Sequence, residues 1–151
     1  MQFKTFLRTL TIIHTALCAG LMVFAIVAYY QKGDFEARMN SQSILIYMVP
    51  VVAVAGYFLS QLLFKKQLEH ISKEETLSVK LGKYQVASIL KYALLEGPGI
   101  LALLAYYWSG NALHLVVAIA LIAYLFVQRP TADKIKKDLP LTYEEQKQLL
   151  N

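Results

Sequence analysis

A chain of 151 residues that is 57% hydrophobic, with mean hydropathy +0.45 and 17% charged residues, is too apolar for a soluble domain of its length. The net charge of +5 lies in short blocks without interleaved aromatic residues, which argues against nucleic-acid binding and makes the charge a topology signal with a secondary affinity for anionic lipid. The single cysteine excludes an internal disulfide.

Four apolar spans follow in order, at 9–30, 44–64, 84–108 and 112–128. Each falls within the roughly 17–25 helical residues that cross a hydrocarbon core. All are solidly apolar and none alternates as a barrel strand does. The predicted fold class is an all-α integral membrane protein with four transmembrane helices in residues 1–130, followed by a short amphipathic tail at 131–151.

The first span is preceded by Lys4 and Arg8, as in a signal peptide, but its apolar run is longer than an h-region, so a retained helix is expected. Leu17 is bulky where a lipoprotein site before Cys18 would need a small residue, which makes Cys18 a packing residue. His14 is expected to donate between helices. Pro50 is expected to kink the second span. Beyond it, Ser72-Lys73-Glu74-Glu75 has the capping-box pattern, predicting that the third helix begins before the membrane.

The third span carries the chemistry. Glu96 is a lone carboxylate near its midplane, and burying an ionised group there costs several kcal/mol or more, so it must be protonated, paired or in contact with water. Gly97-Pro98-Gly99 follows at once, and Pro98 leaves the Leu94 carbonyl without its helical donor. Two readings stand side by side. In one, Gly97, Pro98 and Gly99 form a packing notch and Glu96 hydrogen bonds to a neighbouring hydroxyl, with Tyr57, Tyr124 or Ser60 as donor. In the other, Glu96 handles a proton or an ion, or makes a subunit contact. Lys91 lies about 140° from Glu96 around the helix, so it is a poor local partner and is expected to snorkel.

The fourth span ends at Arg129-Pro130. His114, at its outer end, is expected to be a wet interfacial histidine. A brief surface helix at 131–139 should stop at Pro140, and Thr142-Tyr143-Glu144-Glu145 repeats the capping box. Tyr29, Tyr30, Tyr106, Tyr107 and Trp108 form an aromatic belt at one interface and Tyr84 marks the other. The three histidines lie on separate spans without ligand spacing, and there is no nucleophile elbow or phosphate-cradling loop, so no metal, cofactor or enzymatic activity is expected.

Basic residues set the orientation. Lys65, Lys66, Lys73, Lys80 and Lys83 lie between the second and third spans, and Arg129, Lys134, Lys136, Lys137 and Lys147 lie in the tail. The positive-inside rule therefore places both termini in the cytoplasm. Placing Gly20 on Gly97 also aligns Ala28-Tyr29-Tyr30 with Ala105-Tyr106-Tyr107 and Gly33 with Gly110. With a longer first loop, Tyr57 then meets Tyr124 and Gln61 meets Gln128. The spans thus form two duplicated hairpins in parallel orientation, expected to superpose about an axis near the membrane normal. Glu96 falls opposite Ala19, an addition to the common scaffold.

From Ala93-Leu94-Leu95-Glu96-Gly97 to Tyr107 the third span resembles the carboxylate helix of subunit c of rotary ATPases, which implies an acid that binds the transported proton or sodium. The chain departs from that family in having one glycine, Gly56, in its second span and no Arg-Gln-Pro loop. The Leu-Glu-Gly-Pro centre, Ser-Gly-Asn turn and Arg-Pro-Thr exit are together similar to small uncharacterised four-span bacterial inner-membrane proteins, which supply no activity to carry over. Two functional expectations result. One is a non-enzymatic inner-membrane scaffold or accessory subunit, with lipid and a protein partner or further copies of itself as neighbours. The other is an oligomeric ion-handling subunit using Glu96.

Overall fold

The computed structural model describes residues 3–33, 35–39 and 42–149; the first two and last two residues of the predicted segments lie outside them. It is all-α, with α1 (Phe3–Lys32), α2 (Leu45–Glu69), α3 (Leu77–Ser109), α4 (Ala112–Val127), α5 (Ala132–Asp138) and α6 (Tyr143–Gln148). Three helices are long and apolar enough to cross a membrane, and α4 joins them if α4 and α5, bent by 81°, are one broken span. Their outward faces carry Ile12, Val23, Ile26, Val51, Phe58 and Val116, an apolar surface that needs lipid around it.

α3 is the central element. It packs against α1, α2 and α4, whereas α1 and α2 barely meet. The hairpin pair expected for α1 and α2 is therefore not packed as α3 and α4 are. At 33 residues α3 is about 50 Å long, so it projects well beyond a core of about 30 Å. α1 and α2 also outrun their predicted spans, α1 starting at Phe3 and α2 running to Glu69.

Local chemistry explains most boundaries. α1 and α3 stop at Gly33 and Gly110, both left-handed with φ near 65°, and their N–H groups donate to Tyr29 and Tyr106 at 2.8 and 2.7 Å. Asn111 caps α4 by accepting from the Leu113 N–H at 3.1 Å. The same side chain ties down the first loop, accepting from the Arg38 N–H at 3.1 Å and donating to its carbonyl at 2.8 Å. Thr142 and Glu145 form the predicted capping box of α6, and Thr131 caps α5. The box predicted at Ser72 does not form. Ser72 Oγ accepts from Glu74 within a turn, Glu75 is held by Lys83 at 2.5 Å, and α3 starts at Leu77 behind Thr76.

The closest seam joins α2 to α3. A Cβ on Gly56 would stand 2.6 Å from the Leu94 carbonyl oxygen and 2.6 Å from Pro98 Cγ. The carbonyl that Pro98 deprives of its helical donor is thus covered by the backbone of α2. On the opposite flank Gly99 receives Leu21 of α1, with a Cβ position 3.3 Å from Leu21 Cδ1, while nothing lies within 4 Å of a Cβ on Gly97. Gly56→Ala is expected to destabilise the protein by about 1–3 kcal/mol, the usual cost of overpacking, and Gly97→Ala to leave it unchanged. Thermal unfolding of the two variants in detergent micelles measures the difference; equal melting would show that the seam yields freely.

Candidate functional site

Around α3, α1, α2 and α4 occupy three sides and the fourth is open. Ala93, Gly97 and Ile100 are exposed there, with Glu96 half-buried beside them. Glu96 makes no hydrogen bond or ion pair with any described residue. Its electrostatic neighbour is the Cys18 thiol on α1.

The hydroxyls expected to reach Glu96 are engaged elsewhere. Ser60 donates to the Tyr57 carbonyl of its own helix at 2.7 Å. Tyr57 and Tyr124 stack edge to face at 5.0 Å, and Gln61 Nε2 donates to the Tyr124 hydroxyl, all between α2 and α4. Lys91 does not pair with Glu96 either; its ammonium lies 4.5 Å over the ring of Phe64. Of the predicted group, then, Pro98 and Gly99 form the packing notch, Gly97 opens outward with Glu96, and Tyr57, Tyr124 and Ser60 belong to a separate cluster.

A second polar constellation closes the end of α4. With 16 residues this helix is about 24 Å long, too short to carry its last carbonyls out of a 30 Å core. Those carbonyls find side-chain donors instead. His14 Nε2 donates to Leu125 at 2.7 Å and packs edge to face on Tyr92, whose hydroxyl donates to Gln128 at 3.4 Å. The Lys134 ammonium reaches Val127 at 2.9 Å and Arg129 at 3.1 Å. His14 is the interhelical donor that its position implied. Tyr92 and Lys134 carry no local motif, although the Arg129-Pro130 stop implied that some donors were needed. His114 departs from expectation: it is 1% exposed, and its Nε2 has no hydrogen-bond partner among the described residues. The first loop is tied to the start of α4 through Glu36, Arg38 and Asn111. Among the described residues no group of three or more His, Cys, Asp or Glu is placed to hold a metal.

The third constellation docks the tail. Lys80 is fully buried, and its ammonium contacts both Glu145 oxygens, at 2.8 and 3.1 Å, and the carbonyls of Lys73 and Pro140 at 2.9 and 3.1 Å. Tyr84 donates to Asp138 at 3.1 Å, and Ile135 and Leu139 are buried beneath. Burial alone would raise the Glu145 pKa. The hydrogen bonds from Lys80 and the Thr142 N–H, with the Lys80 charge, outweigh it and hold the carboxyl below its usual range.

Comparison with protein-family models, with curated proteins and with solved structures gives no match, so neither resemblance noted in the sequence is carried by a relative.

Because folding lowers the Glu145 pKa, its contribution is fully present above the ordinary glutamate value, about 4.3, and is lost as pH falls through and below it. Energy transfer between labels on Gln148 and Ser72 should therefore stay constant around neutrality and drop on acidification. Glu145→Gln, which leaves a buried ammonium without its counter-charge, should release the tail at neutral pH and speed tryptic cleavage at Lys136 and Lys137 at least about tenfold, the equivalent of about 1.4 kcal/mol. Unchanged cleavage and transfer would show that the apolar contacts suffice.

Proposed function

We propose that this chain is a non-enzymatic, multi-pass protein of a bacterial inner membrane that serves as scaffold or accessory subunit, with the open side of α3 receiving a helix of a partner or of another copy. One observation carries this reading: Glu96, midway along the apolar part of α3, is half-buried and unpaired among the described residues. A carboxyl in hydrocarbon needs a hydrogen-bonding partner. Ala93 and Gly97, one turn apart on the same face, let a neighbouring helix backbone approach closely.

The basic end, with both termini and the α2–α3 connection, faces the cytoplasm in this reading, because cytoplasmic segments collect Lys and Arg. The duplication of the helix pairs is part of the proposal as well. It is supported by the shared left-handed stops at Gly33 and Gly110, each bonded to the matched Tyr29 and Tyr106, and by the contact of Tyr57 with Tyr124.

The second reading, an ion-handling oligomer, draws on the same open carboxyl, since a carrier group must meet water or a neighbouring subunit. Infrared spectra of the Glu96 carboxyl in lipid separate the two. A band that responds to pH or sodium supports the carrier, and an insensitive band supports the structural contact.

Two outcomes are expected. A photoreactive residue at Ile100 should crosslink to a second polypeptide; Glu96→Gln should preserve the adduct and Glu96→Leu should lower its yield several-fold. Crosslinks to lipid alone would overturn the interface. In a Cys18→Ala background, Cys at Met39 should react with an impermeant thiol reagent in intact cells and Cys at Ser72 should not; the reverse pattern would invert the topology.

A further inference from the structure

Besides Glu96, the apolar part of α3 carries one other charged residue, Lys91. Lys91 is half-buried, and its ammonium makes no hydrogen bond or ion pair with any described residue. It rests 4.5 Å over the ring of Phe64 on α2. A ring face balances part of the charge but offers no lone pair to the three N–H donors of an ammonium.

The surroundings of this cation are fixed. Phe64 packs edge to face on Tyr84 at 5.7 Å, and the Tyr84 hydroxyl donates to Asp138 of α5 at 3.1 Å. Asp138 is the acidic group whose charge acts on Lys91, but its carboxylate is held by Tyr84 and forms no ion pair with the lysine. The Lys134 ammonium, turned onto the carbonyls at the end of α4, acts on Lys91 with the same sign.

Depth and charge identify what the ammonium lacks. Phe64 is the last residue of the apolar run of α2, and Lys65 and Lys66 follow it. The cation above its ring therefore lies at the rim of the hydrocarbon layer, where the phosphates of phospholipids begin. Lys91, Lys65 and Lys134 stand there against Asp138, so the rim is positive. A zwitterionic headgroup brings its own cation into that field, whereas an anionic one ends in hydroxyls and does not. Basic pockets between membrane helices take anionic headgroups on this principle.

We propose that the rim between α2, α3 and α5 is a headgroup site for an anionic phospholipid, its phosphate accepting from the Lys91 ammonium above Phe64 while Lys134 adds its charge. The site lies on a flank of α3 about 140° from Glu96, so it stands or falls independently of that contact.

The test extracts the full chain from nanodiscs of equal phosphatidylglycerol and phosphatidylcholine and counts retained lipid by native mass spectrometry. Wild type should retain phosphatidylglycerol in preference by at least about tenfold, the worth of one hydrogen bond to a charged group. Lys91→Gln should abolish the preference and Lys91→Arg should keep it. Lys137→Gln, which removes an exposed charge from the same end, should leave it unchanged; circular dichroism checks that each variant is folded. In the unmutated chain, acylation of Lys91 by an amine-reactive ester should be several-fold slower in phosphatidylglycerol than in phosphatidylcholine nanodiscs. Equal retention of the two lipids, a preference that survives Lys91→Gln, or equal acylation would overturn the proposal. So would a loss in Lys137→Gln as large as in Lys91→Gln, which would make the preference a matter of net charge. Suppression of the preference by inorganic phosphate would also overturn it, because the ligand would then be a free anion.

Discussion

Hydrocarbon offers no hydrogen bonds, so every backbone group inside it must be satisfied by the protein, and this constraint organises the fold. It acts most visibly at Pro98, which takes the helical donor from the Leu94 carbonyl in the middle of α3. Gly56 answers by bringing the backbone of α2 to the same place, with a Cα hydrogen where any side chain would collide. A Cα–H to carbonyl contact is worth about 0.5–1 kcal/mol, less than a full hydrogen bond, but it excludes any worse arrangement. With α2 fixed there and Leu21 seated on Gly99, α3 is gripped from both flanks at one level. Its fourth side, with Glu96, is left uncovered.

The same constraint governs the short fourth helix. It is shorter than such a layer is thick, and donors from α1, α3 and α5 converge on its last carbonyls. A histidine, a phenol and an ammonium do for α4 what further turns of helix would have done. The 81° bend into α5 follows, because Pro130 stops the helix and Lys134 bonds back across the turn. From there the tail lies where Lys80 can reach it, so the apolar and the polar halves of the molecule are joined through one stretch of chain.

Helix number, the terminal capping box and the short α5 were legible because each depends on residues close in sequence. The box at Ser72 fails for a reason visible only in three dimensions: Glu75, which should reach back to the cap, is taken by Lys83 from the next turns of α3. Lys80 read as one more orienting charge, since its burial depends on Glu145, 65 positions away. The supposed partners of Glu96 were misplaced because a sequence gives the depth of Tyr57, Ser60 and Tyr124 but not which flank of α3 their helices take. Where helices pack beside one another is set by contacts such as Gly56 on Leu94, and nothing in either segment alone announces that pairing.

The distance between Lys80 and Glu145 also has a meaning in time. A ribosome adds roughly 5–20 residues per second, so the 65 positions that separate the two correspond to about 3–13 s of synthesis. During that interval α3 has been made and its lysine has yet to meet the Glu145 carboxylate. The ammonium must stay in water or among lipid phosphates until the tail arrives. Insertion of the apolar helices and closure of the basic end are therefore successive events, and the first turn of α6 completes a site begun before the third helix was finished.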